Sequence, residues 1–167
     1  GVRKFGWDGF YDRFVLPDGS VQSRLARGGF RTEFDSGDSF FLLYNANYEV
    51  LQTTFRIASG VALPQGRYRF NDVQASLSLG PHRSVSGTIS ASKGEFYSGD
   101  HTSVGYGGRV NLSSQLAMEP RVSVDWVSLP QGDFTTTLAG ARTIYTVSPR
   151  MFVSALVQYN SSLNTLE

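Results

Sequence analysis

The sequence predicts an all-β protein, an antiparallel up-and-down transmembrane β-barrel of about 8–10 strands. Three observations predict it. Segment after segment alternates apolar and polar residues, about ten to fourteen at a time, with turn residues between them. Charged residues make up 17% of the chain, below the roughly 25% of soluble domains. Aromatic residues reach 13% and glycines number 18, a composition that suits aromatic girdles and crowded strands. In keeping with these three, no segment carries a helical period, and no run approaches the ~18 consecutive apolar residues of a membrane helix. The 167 residues read as a single domain, 1–167.

About nine strands follow in order. The first runs from Arg3 to Val15 and ends at Leu16-Pro17-Asp18-Gly19, a strong turn signal. The second runs from Val21 to Phe34, ending at Asp35-Ser36-Gly37-Asp38. The third, Ser39 to Leu51, is the clearest: Phe40, Leu42, Tyr44, Ala46, Tyr48 and Val50 form an apolar face. Its alternates Ser39, Phe41, Leu43, Asn45, Asn47 and Glu49 turn polar halfway along. A long connection from Gln52 to Gly66 precedes the fourth strand, Arg67 to Leu79. The fifth covers Ser84 to Glu95, the sixth Thr102 to Leu112 and the seventh Met118 to Ser128. The eighth covers Phe134 to Val147, and the ninth Met151 to Asn160. Connections after the first, third, fifth and seventh strands read as longer than the others, which would make the longer set extracellular.

Parity assigns two faces. Val73, Ala75, Leu77, Ile89, Val104, Val122, Val124 and Val157 belong to a lipid-facing set. Arg31, Glu33, Glu49, Asp72, Arg109, Arg121, Asp125 and Arg142 fall on the opposite, lumen-facing side. Arg67, Arg69 and Lys93 share the outward parity but lie near strand ends. A cation on the lipid face at the bilayer midplane costs about 2–4 kcal/mol, so this placement is what lipid selects. Trp7, Tyr11, Tyr68, Phe70, Phe96, Tyr97, Trp126 and Phe134, near strand ends, are expected to form the interfacial aromatic girdle. Stacking on sugars is the other use for such rings.

The closure is odd, since single-chain bacterial barrels have even strand numbers. The chain also reaches Asn164-Thr165-Leu166-Glu167 without an aromatic strand end. A closing strand is therefore expected to be missing, and with it a risk of edge-to-edge self-association. Gly1-Val2-Arg3-Lys4-Phe5-Gly6-Trp7 has no apolar leader core, so processing from a longer protein is expected.

Several stretches resemble a known family. They are Leu63-Pro64-Gln65-Gly66-Arg67-Tyr68-Arg69-Phe70, Gly94-Glu95-Phe96-Tyr97-Ser98-Gly99-Asp100, Leu129-Pro130-Gln131-Gly132-Asp133-Phe134-Thr135-Thr136 and the run from Ser148 to Asn160. Together they resemble the C-terminal barrel-like region, a domain of unknown function, of large bacterial outer-membrane proteins with an N-terminal family-nine-type carbohydrate-binding domain. The resemblance implies an outer-membrane barrel attached to, or cut from, a sugar-binding module. It supplies no catalytic residues. In that family the Gln-Tyr-Asn segment is followed by a further hairpin, which this chain lacks.

Other signals narrow the function. A net charge of +1 gives no field for nucleic acid. The absence of cysteine excludes disulfides and thiolate metal sites. His82 and His101 are expected at opposite ends, against a zinc site, and no metal or cofactor is expected. Arg109, Arg121 and Arg142, with Glu119 and Asp125, suggest a lumenal charge ladder. It would serve as an anion or sugar site, or as a salt-bridge network filling a narrow lumen, and the second is preferred. His101 with Asp100, Ser98 and Ser103 in a rim loop is weak as a hydrolase signal, because adjacency alone does not make a triad. Gly105, Gly107 and Gly108 are expected to relieve crowding or permit a bend. The resulting expectation is a non-enzymatic outer-membrane barrel, a channel or anchor for a small polar solute or saccharide-binding module. Its partners are lipid bilayer or detergent and a saccharide. The alternative is a soluble all-β carbohydrate-binding module.

Overall fold

An extended segment cannot satisfy its own backbone groups, so alternating segments become a sheet by pairing with the next in sequence. The computed structural model describes residues 1–161 and 165–166; of the C-terminal residues discussed above, Asn164 and Glu167 lie outside it. Three strands come first: β1 (Val2–Val15), β2 (Val21–Phe34) and β3 (Ser39–Leu51). A small hairpin follows, β4 (Phe55–Ala58) and β5 (Val61–Leu63). Then come β6 (Gly66–Leu79), β7 (Val85–Phe96), β8 (Gly99–Asn111), β9 (Leu116–Leu129), β10 (Gly132–Ser148) and β11 (Met151–Asn160), with a short β12 (Thr165–Leu166).

All but β4 and β5 form one antiparallel ten-stranded sheet in the order β1-β2-β3-β6-β7-β8-β9-β10-β11-β12. Among the described residues β1 pairs only with β2, and no strand joins it to β11 or β12, so the sheet is open.

The register sorts side chains as the parity requires. One cross-strand row reads Phe5, Thr32, Phe40, Leu77, Ile89, Tyr106, Val122, Ala139 and Tyr159 from β1 to β11. The adjacent row on the other face runs Phe41, Ser76, Ser90, Gly105, Ser123, Leu138 and Asn160 from β3 onward. The polar face is concave, because Leu51 of β3, Phe96 of β7 and Val127 of β9 all reach the same β4–β5 hairpin.

Two sequence expectations need correction. The connections do not alternate in length. β7 runs on to Phe96 and β8 begins at Gly99, leaving only Tyr97-Ser98 between them; only Pro130-Gln131 separates β9 from β10. Cross-strand hydrogen bonding extends these ladders into residues that read as loop. Only the β3–β6 connection is long, and it contains the hairpin rather than bare loop. The opposite end is tied by Asp38 in the β2–β3 turn, which accepts from Arg83 Nη2 at 2.6 Å and from the Gly80 N–H at 2.8 Å.

β7 and β8 approach each other closely at a pair of glycines. Gly87, at φ 134°, faces Gly108, and a Cβ on either would collide with the other strand's backbone. Pro120, which has no N–H to donate, lies in the stretch where the β8–β9 ladder skips from Gly107–Arg121 to Val110–Met118. Of the glycine run, Gly108 thus permits the close approach to β7, the relief of crowding that was one of its two expected roles.

Candidate functional site

Near the ends of β9 and β10 the concave face stops being polar. Val127 and Leu129 share the parity of Asp125, and the β4–β5 hairpin covers them with Val61 and Leu63. Leu63 is 0% exposed, and with its three neighbours it forms the buried apolar cluster. Leu51, Ile57, Ala58, Phe96, Tyr97 and Phe134 pack around it. Gly132 lets the chain turn beneath the hairpin: its φ is 141°, and a Cβ there would sit 3.2 Å from Val61 Cγ2.

Beside this cap stands an aromatic cluster. Tyr97 meets Tyr68, Phe70 and Phe96 with ring centroids 5.2, 5.0 and 4.9 Å apart. Tyr68 and Phe70 pair opposite Glu49 and Asn47, on the concave face. Phe134 pairs opposite Val127 on the same face. Thus Tyr68, Phe70, Phe96, Tyr97 and Phe134 are not members of an outward girdle; proximity to strand ends had outweighed their parity. Trp7, Tyr11 and Trp126 do lie on the outward face, opposite Phe30, Ala26 and Thr102.

Tyr97 has a left-handed backbone, φ 53°, a conformation that costs a non-glycine residue about 1–3 kcal/mol. Its side chain offsets that cost through the cluster and by donating a 2.8 Å hydrogen bond to Glu49 Oε2. Burial, reinforced by this carboxylate, pushes the Tyr97 hydroxyl well above its ordinary range. Tyr68 donates to the Pro64 carbonyl at 2.7 Å and so pins the chain leaving the hairpin.

Across β2, β3 and β6 the polar groups satisfy one another. Arg27 Nε donates to Asn45 Oδ1 at 2.9 Å, and Asn45 Nδ2 donates to Asp72 Oδ2 at 2.8 Å. Asn47 and Gln74 add bonds of 3.3 and 3.1 Å to the same carboxylate. Asn45 is only 4% exposed, so this ladder is a structural filler of the concave face. Nearby, the Arg31 guanidinium lies over the Phe41 ring at 5.3 Å, and Glu33 pairs with Arg3 at 2.5 Å.

Across β8 to β11 the arrangement is looser. Arg109 Nη1 lies 3.2 Å from Glu119 Oε1, and its Nε donates to Asn111 Oδ1. Arg121 and Arg142 are exposed and take part in no ion pair among the described residues. They line an open hollow of about 750 Å³ with Glu119, Ser123, Gln158 and Asn160. Of the expected ladder, the Arg109–Glu119 rung is therefore formed, and the other two arginines remain available to a ligand.

His101 is placed differently from its expected loop. It lies on β8 pointing to the concave side, with Nε2 3.4 Å from Asp125 Oδ1 and its ring 5.8 Å from Phe96. Ser98 donates instead to Gln131, and among the described residues no serine hydroxyl bonds to His101. Ser103, opposite Asp125 in register, lines the same hollow as His101. Among the described residues no group of three or more His, Cys, Asp or Glu side chains is arranged to hold a metal ion.

The hairpin cap is what sequence reasoning missed. Its signal was present: Phe55, Ile57, Val61 and Leu63 alternate across Gly60 inside the supposed loop. No family model matches this chain, and neither a curated protein nor a solved structure matches it.

Proposed function

We propose that the sheet is the wall of an outer-membrane β-barrel and that its concave face admits or docks a small polar solute of the saccharide or anionic class. The observation that carries this reading is the sorting of the two faces. Trp7 is 76% exposed, and Leu42, Val73, Ile89, Val104, Trp126 and Val157 are exposed with it on the convex side. A continuous apolar surface of this kind needs an apolar partner, and lipid is the one that matches a whole convex face. Asn, Ser, Gln and Arg side chains line the other side, among exposed Phe10, Phe14, Leu138 and Leu156, a mixture of polar groups and apolar surfaces suited to sugars or anionic solutes.

Barrel closure in this reading requires strands beyond those that pair here, since hydrocarbon does not tolerate an unpaired β1 edge. The resemblance to the barrel-like region attached to sugar-binding modules points to the same setting and adds anchoring of such a module as a role for the wall.

Circular dichroism and light scattering with and without detergent micelles test the reading. A monomeric β spectrum obtained only with micelles supports it, and a clean soluble monomer in plain buffer overturns it. Conductance in planar bilayers then separates passage from docking: Arg121→Ala alters conductance if solute passes, whereas a wall that only anchors shows none.

A further inference from the structure

One cross-strand row on the convex face breaks the rule that this face is apolar. Arg13 pairs opposite Arg24, Arg24 opposite Tyr48, and Tyr48 opposite Arg69, on four successive neighbours β1, β2, β3 and β6. Arg67, opposite Val50, continues the patch one step further along. The arginines are exposed. Two of them share one ring, with Arg24 at 5.4 Å and Arg69 at 5.8 Å from the Tyr48 centroid.

Like charges directly opposite one another destabilise a strand pair. Here no carboxylate relieves them: none of these arginines takes part in an ion pair among the described residues. The nearby candidates are engaged or averted. Glu95 accepts from the Asn71 backbone and side chain, Asp18 accepts from Ser20, and Asp12 lies on the opposite parity from Arg13. The row also has a definite position. The next row holds Tyr11, Ala26, Ala46 and Asn71, the one after it Gly9, Gly28, Tyr44 and Val73, and the third Trp7, Phe30, Leu42 and Ala75, so the arginines stand toward the hairpin end of the strands, at the border of the apolar surface.

We infer that this row is a binding site for the phosphate groups of anionic lipid at the membrane interface. The inference rests on the membrane reading above and names the lipid its convex face selects. Guanidinium forks bond phosphate oxygens bidentately, and their alkyl stems lie along apolar surface while the charged heads reach the headgroup layer. A phosphate there supplies the counter-charge that the row lacks, and Tyr48 holds two of the forks side by side to receive it. Phosphate monoesters on the lipid suit the site best, because they offer the most oxygens and charge.

The test is to reconstitute the chain into vesicles of phosphatidylcholine with and without phosphatidic acid, extract it, and count retained lipids by mass spectrometry. The wild-type chain is expected to retain phosphatidic acid selectively. The selectivity falls about fivefold for each arginine removed in the series toward Arg13→Gln/Arg24→Gln/Arg69→Gln. Arg150→Gln, at the other end of the strands, leaves it intact. Should the triple variant fail to fold, Arg13→Lys/Arg24→Lys/Arg69→Lys tests the same point: it keeps the charge and is expected to retain less phosphatidic acid than wild type. A chain that inserts but shows no preference for phosphatidic acid, or a variant that keeps the full preference, overturns the headgroup site alone. A chain that enters neither vesicle nor micelle overturns the membrane reading and the site together.

Discussion

The two halves of the concave face carry the same dyad pattern and differ in how their charges are answered. On β2, β3 and β6 a single carboxylate, Asp72, receives Asn45, Asn47 and Gln74, and Asn45 passes the chain on to Arg27. On β8 to β11 Arg109 is answered by Glu119, while Arg121 and Arg142 take part in no ion pair among the described residues and face an open hollow. Inward charge alone therefore does not distinguish filler from site. Register alone does not distinguish them either, since Arg142 stands directly opposite Glu119 and yet Glu119 bonds Arg109; whether the facing groups bond to one another separates a rigid half from a receptive one.

The largest expected effect comes from the element that spans both halves. Leu63→Ala empties the fully buried position under the hairpin and should cost about 2–5 kcal/mol in urea unfolding of the chain refolded in micelles. Next, Asn45→Ala leaves Arg27 and Asp72 short of a partner in a nearly buried site and should cost about 1–3 kcal/mol. If that cost is absent, the rigid half is not held by its ladder.

A smaller effect is expected at the turns that tie the same half at its far end. The Arg83 guanidinium, the Gly80 N–H and Ser36 hold the Asp38 carboxyl well below the usual carboxylate range. Because its folded-state value is depressed, Asp38 contributes stability above its ordinary 3.8, and that contribution is lost as pH falls through the lower folded-state value. Acid titration of stability should therefore be shallower for Asp38→Asn than for wild type. Tyr97 gives the opposite sign. Its raised value means a contribution complete below about pH 10 and lost as pH climbs above that, so Tyr97→Phe should remove part of the alkaline transition. The smallest stability change is expected for Arg121→Ala and Arg142→Ala, within about 0.5 kcal/mol, since both are exposed and take part in no ion pair among the described residues. Their effect should appear instead in anion preference, measured as reversal potential in bilayers. A large stability loss with unchanged selectivity would make the receptive half filler as well.

Much of this was legible in the residues. Alternation with a period of two places every side chain of β3 and β6 on its face, and turn residues such as Asp18-Gly19 and Gly80-Pro81 mark where strands reverse. Three things were not. The hairpin was concealed because its alternation is split into two apolar residues on each side of Gly60, too short a run to stand out from a loop. Ladder growth up to Phe96 and Leu129 was hidden because cross-strand bonding, not local propensity, decides where a strand stops. The aromatic cluster was misplaced for a different reason: Tyr68 and Phe70 had the parity of Asp72 all along, but the apolar cap that welcomes rings on a polar face is contributed by the concealed hairpin. At the site, Arg142 stands opposite Glu119 in register and yet Glu119 bonds Arg109, a choice made by side-chain geometry across three strands that no single strand's sequence carries.

The hairpin also bears on the order of events in folding. Every pairing in the large sheet joins consecutive long strands, so the sheet can grow by zipping one neighbour onto the last. Val61 and Leu63 have no such route. Their partners Val127 and Leu129 arrive only after β6, β7 and β8 have been laid down and the sheet has curled. The cap is thus a late contact, one that locks a curvature already reached. Its loss should speed unfolding while leaving the rate of sheet growth nearly unchanged.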